Sequence, residues 1–147
     1  MVGENTNTNH GVKHYLIKDI KSYKAMDNEA ALLLIDVISI LPGEIDLQIE
    51  APSLDDEVIL KMWDDTEYPY FKGIRLDNTT KELFLNRIKN YPIVSDFQSI
   101  EIRHNAKLLF EGFDGVMYGS VSNTIQIPNW FKEKYIEYEE YFIAVNW

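Results

Sequence analysis

Three kinds of residue in this chain have types and spacing that could do chemistry. Adjacent carboxylates recur at Asp55-Asp56, Asp64-Asp65 and Glu139-Glu140; histidines stand at His10, His14 and His104; and "EGFDGVMYG", Glu111 to Gly119, packs glycines, two acids and large apolar side chains together. Hydrolysis by paired acids needs two carboxylates across a cleft, one of them in an apolar pocket that raises its pKa. Neighbouring acids in polar runs have the opposite environment and read as solvated surface. His10 and His14 stand four apart at the edge of a polar tail, with no HExxH and no cysteine beside them, so no metal site is assigned. "DGVMYG" and "DDTE" lack the alternating ligands and closing Glu of a calcium loop. No GxSxG elbow is present, and the serines have no evident His-Asp partner.

The glycine run also fails as a phosphate cradle. Such a cradle opens a helix and carries a cation, whereas this one leads into the strand-like "GSVSNTIQI" and places carboxylates where phosphate would lie. It reads as a shaped turn in which Gly112 and Gly115 supply positive φ around Asp114, Phe110 packs inward and Tyr118-Gly119 starts the next strand. No catalytic residue, cofactor or metal is assigned, and the chain reads as non-enzymatic.

The elements that must position these residues follow from periodicity. Residues 1–10 are polar and read as a disordered tail with no signal peptide, and 11–147 as one domain. "HYLIKDIKSYKAM", His14 to Met26, fits either a short strand or a helix. A nearly buried helix is expected from Asn28 to Leu41, with Asp27 as N-cap, a polar stripe of Glu29, Asp36 and Ser39, and Pro42-Gly43 as the stop. Its apolar run, Ala30 to Leu41, is shorter than the roughly 20 residues a bilayer span needs. A second helix is expected over Thr80–Tyr91, with Thr79 and Glu82 at capping-box spacing and Leu83, Phe84 and Ile88 on one face. A short third begins at Pro128 and turns Trp130 and Phe131 inward.

Alternation marks the strands. "IDLQIEA" puts Ile45, Leu47 and Ile49 on one side, and "SIEIRHNAKLLFEG" reads as a hairpin turning at Asn105-Ala106. Further strands fit "YFKGIRL", "GSVSNTIQI" and "EYFIAVNW". "EVILKMW" reads as a strand as well, although Val58, Ile59, Met62 and Trp63 also fit a helical stripe. Hairpin-like strands punctuated by about three helices, without a βαβ rhythm, imply an α+β fold: a mostly antiparallel β-sheet with helices packed against it.

The 147 residues carry 14 Lys and Arg against 24 Asp and Glu, a formal net charge of -10, with no cysteine. That field repels nucleic acid and anionic lipid and draws in basic partners, and the lack of cysteine fits a cytoplasmic protein. Two segments, "WDDTEYPYF" and "YIEYEEYF", interleave acids with aromatics, the composition of protein-binding surfaces. The partner-contacting residues expected on this ground are Asp64, Asp65, Glu67, Tyr68, Tyr70, Asp114, Tyr118, Tyr138, Glu139 and Glu140.

"LLFEGFDGVMYGSVSNTIQIPNWFKEKYI", Leu108 to Ile136, resembles the C-terminal region of small acidic immunity proteins from bacterial polymorphic-toxin and contact-dependent growth-inhibition loci. The shared features are a hairpin ending in an aromatic, an "FDG…YG" turn, a strand, and "P-x-W-F" opening a short helix. The resemblance implies a non-enzymatic inhibitor that binds a cognate toxin domain, often a basic nuclease, and occludes its active site or substrate groove. Two other readings fit the same residues: an acidic binding module such as a DNA mimic or a phage-encoded inhibitor, and a hydrolase using paired carboxylates.

Overall fold

The computed structural model describes residues 11–16, 23–122, 124–136 and 143–146. Their strands are β1 (Gly11–Leu16), β2 (Ile45–Glu50), β3 (Asp64–Asp65), β4 (Lys72–Leu76), β5 (Ser99–His104), β6 (Lys107–Phe113), β7 (Tyr118–Ser122) and β8 (Ile143–Asn146). All lie in one sheet of order β3-β4-β2-β5-β6-β7-β1-β8, and every pair is antiparallel. The helices are α1 (Tyr23–Ile40), α2 (Glu57–Met62), α3 (Asn78–Asn90) and a single turn α4 (Asn129–Phe131) that continues as a π-helical turn, Lys132–Ile136. The chain is an α+β protein built on an antiparallel sheet, as the hairpin-like patterning implies.

The period-two pattern of the strands becomes two faces. Ile45, Leu47 and Ile49 of β2, Ile74 and Leu76 of β4, Ile100 and Ile102 of β5 and Phe110 of β6 point to the helices and are buried. Phe84 and Phe97 stack beneath them with ring centroids 6.4 Å apart. Burying one such side chain stabilises by about 1.5–3 kcal/mol, so a core of this kind needs no disulfide. The outer face carries the alternate residues, among them Asp46, Gln48, Arg75, Glu101 and Arg103.

Several local expectations are corrected. Helix α1 begins at Tyr23, so Asp27 lies inside the helix and is not its N-cap. Its buried face is Ala30, Ala31, Leu33, Leu34, Val37 and Ile38, and Asp36 holds Lys134 at 2.7 Å, tying the last helical turns to α1. "EVILKM" is helix α2, not a strand: Asp56 accepts from the N–H of Ile59 at 3.0 Å and caps it, and Ile59 is its buried residue. Helix α3 starts at Asn78 behind Asp77, whose carboxylate accepts from Thr79 and Thr80 while Thr80 Oγ1 accepts from the N–H of Asp77. The capping box is therefore Asp77/Thr80, not Thr79/Glu82. Leu83 faces outward, leaving Phe84 and Ile88 as the inner stripe, and of the Trp130-Phe131 pair only Phe131 is buried.

The hairpin at Asn105-Ala106 forms as expected, with both residues at positive φ, 50° and 68°. That is the signature of a type I′ turn, whose twist matches paired strands. Tyr138, Glu139 and Glu140, and the tail at 1–10, lie outside the described residues.

Candidate functional site

The register brings two of the expected segments to the same end of the sheet. The loop from Thr66 to Phe71 joins β3 to β4 where Lys72 pairs with Ile49, and the turn from Asp114 to Met117 joins β6 to β7 where Ser99 pairs with Phe113. Strands β4, β2, β5 and β6 separate them, three spacings or about 14 Å.

The β3–β4 loop is held by one side chain. Thr66 Oγ1 accepts from the N–H of Tyr68 at 3.1 Å and lies 2.9 Å from the carbonyl oxygens of Tyr68 and Phe71, to which its proton can be given in turn. Gly73 makes room for it, because a Cβ there would come within 3.3 Å of Thr66 Cγ2. The loop thus presents Tyr68 and Tyr70 outward, 54% and 77% exposed. An aromatic so exposed contributes nothing to the core and is available to a partner.

Hollows flank this loop on both sides. One, about 270 Å³, is walled by Pro52, Leu54, Trp63, Pro69 and Tyr70, with Glu50 and Lys72 at its polar rim. The other lies on the outer sheet face and is lined by Glu67, Tyr68, Phe71, Gln48, Glu101 and Arg103.

The β6–β7 turn is pinned to the same end. The N–H of Asp114 donates to Gln98 O at 3.0 Å, that of Gly115 to Phe97 O at 2.8 Å, and Gln98 N–H to Glu50 O at 2.8 Å. Asp114, Gly115 and Val116 follow one another at φ 53°, 72° and 61°, so Gly115 is left-handed as expected but Gly112 is a strand residue, and Asp114 and Val116 supply the rest. Phe113 and Tyr118 meet across the hairpin with centroids 5.5 Å apart, leaving Asp114 and Tyr118 exposed.

Charge distinguishes the two ends of the sheet. At the far end Arg75 binds Glu44 at 2.9 Å and Asp46 at 3.0 Å, and His104 Nδ1 meets Glu44 O at 2.7 Å. At the loop end Asp65 pairs with Lys72 at 2.5 Å, whereas the carboxylates of Asp64, Glu67 and Asp114 have no side-chain partner among the described residues. Lys72 holds the Asp65 carboxyl below the usual carboxylate range. Asp56 is a different case. Its side chain is only 8% exposed and is gripped by the Arg87 guanidinium, so of the pair Asp55-Asp56 only Asp55 is solvated.

The structure therefore gathers Asp64, Asp65, Glu67, Tyr68 and Tyr70 in one hairpin and sets Asp114 and Tyr118 at the same end of the sheet, three strand spacings or more away. Trp63, Leu54, Gln48, Glu101 and Arg103 join the site without having been expected there. Trp63 stands in the same acid-aromatic run as the tyrosines, and Leu54 in the loop before α2; Gln48, Glu101 and Arg103 reach the site through strand pairing, for which no local pattern exists. Among the described residues no group of three or more His, Asp and Glu is gathered as a metal site would require, and no helix is long and apolar enough to cross a membrane. No protein-family model, curated protein or solved structure matches the chain.

Proposed function

We propose that the chain is an immunity protein that binds a cognate bacterial toxin domain with a basic surface, a nuclease by preference, and neutralises it by covering its active site or substrate groove. The observation that carries this reading is the loop end of the sheet: exposed Tyr68 and Tyr70 flanked by Asp64 and Glu67, which have no side-chain partner among the described residues, on a chain of net charge -10. Tyrosine anchors give such an interface its affinity, and the acids steer a basic partner toward it. Nuclease grooves are basic because they bind phosphate, so the same acids compete directly with substrate.

The hydrolase reading is the weaker one. Asp64 and Asp65 are exposed, Asp65 is 89% accessible and paired with Lys72, and Asp114 follows β6, four strands across the sheet from β3. None lies in the apolar cleft that a hydrolytic acid pair needs. The test is to read the adjacent genes and, where one encodes a toxin domain, to express that domain alone and together with the chain. Growth restored by the chain, with a complex that survives gel filtration, supports the proposal; persistent toxicity without a complex refutes it. Phage genes in place of a toxin gene would favour the phage-inhibitor reading.

A further inference from the structure

The hollow on the outer sheet face has a chemistry of its own. Its volume is about 360 Å³, enough for one long side chain, and Tyr68 and Phe71 are the aromatic residues of its lining. Its polar groups are mostly acceptors. Glu67 and the Gln48 amide have no side-chain hydrogen bond among the described residues, and Glu101 uses only Oε1, which accepts from Arg103 Nη2 at 3.1 Å. Arg103 donates from Nη1 to Ala106 O at 3.3 Å, so both terminal nitrogens of the one cation lining the hollow are engaged.

We infer that this hollow takes an arginine side chain presented by the partner, an inference that rests on the reading of the chain as an inhibitor of a basic protein. A guanidinium is planar, carries donors in a fixed fork, and is weakly hydrated enough to stack on aromatic faces. It would lie against Tyr68 and Phe71 while Glu67, Glu101 Oε2 and the Gln48 carbonyl accept its N–H groups. A carboxylate guest would meet like charge, and a lysine, a compact hydrated point charge, would use fewer of the acceptors.

The test is a titration of the isotope-labelled full chain, followed by backbone amide shifts, with three probes: Nα-acetyl-arginine amide, its neutral citrulline counterpart, and Nα-acetyl-lysine amide. Arginine is expected to shift Gln48, Glu67, Tyr68, Phe71 and Glu101 selectively, with citrulline inert and lysine weaker. Glu67→Gln and Tyr68→Ala, both exposed positions that leave the fold intact by circular dichroism, should each weaken arginine binding about fivefold. The inference is overturned if citrulline or lysine matches arginine, if the shifts spread evenly over the acidic surface, or if both variants titrate like the parent. Arginine held in the hollow while a co-expressed toxin stays active would refute the functional reading and leave the hollow assigned. A neutralised toxin with an indifferent hollow would do the reverse.

Discussion

Ala106 and Gly115 both sit in the left-handed region, at φ 68° and 72°, yet they ask for opposite substitutions. Ala106 is exposed at a two-residue hairpin, where a Cβ costs conformational energy and gains no packing. Ala106→Gly is expected to raise stability by about 1 kcal/mol, read from the denaturant midpoint at constant slope. Gly115 faces Ser95, whose Cα would lie 3.1 Å from an added Cβ. Gly115→Ala should cost about 1–3 kcal/mol, because strain and crowding act together. The neighbouring Val116 keeps a conformation that β-branched residues rarely adopt because its side chain is fully buried. The glycine-rich segment is thus a structural turn that displays Asp114 and Tyr118, not a ligand cradle.

At the scale of elements, Asp56 couples two helices. It caps α2 and grips Arg87 of α3, which also lies over the Tyr91 ring, 3.9 Å from its centroid. The Arg87 hydrogen bond, followed by the N–H of Ile59, holds the Asp56 carboxyl below its ordinary 3.8, against the opposing effect of burial. The folded chain therefore binds fewer protons here than the unfolded chain. The stabilisation is fully present above pH 3.8 and is lost as pH falls through the lowered folded value. Asp56→Ala should lose about 1–2 kcal/mol from the cap alone at neutral pH and flatten the acid limb of a stability–pH curve; an unchanged limb would contradict the assignment. How far such elements were legible depended on distance along the chain. Strand β2 was readable because one buried face imposes strict alternation, as at Ile45, Leu47 and Ile49. Helix α2 was not, because six residues with apolar Val58, Ile59 and Met62 fit both periods until Asp56 caps them. The α3 cap was displaced because Asp77 competes with Thr79 for the same role. Tyr68 and Tyr70 were visible as a local acid-aromatic run. The hollow that Tyr68 shares with Gln48 and Glu101 depends on pairing between β2 and β5, which leaves no trace in local sequence.

For the whole molecule, the net charge of -10 matters through where it is left uncompensated. At the Arg75 end Glu44 and Asp46 are paired, while among the described residues Asp64 and Glu67 at the loop end have no side-chain partner, which leaves their charge uncompensated where the tyrosines are exposed. Association with a basic partner should slow as salt is raised from tens of millimolar past physiological ionic strength, where the screening length is about 8 Å. Asp64→Lys with Glu67→Lys should slow it further while leaving stability nearly unchanged, since exposed charges contribute little to folding. Asp65→Lys should have a smaller effect on the rate, because Lys72 already compensates that carboxylate. The most direct measurement is complex formation between the purified chain and the basic toxin domain proposed as its partner on gel filtration, for the parent and for Tyr68→Ala/Tyr70→Ala. A complex formed by the parent and lost in the double variant, with the fold intact by circular dichroism, is the predicted result. No complex with the parent, or an undiminished one with the double variant, would contradict the account.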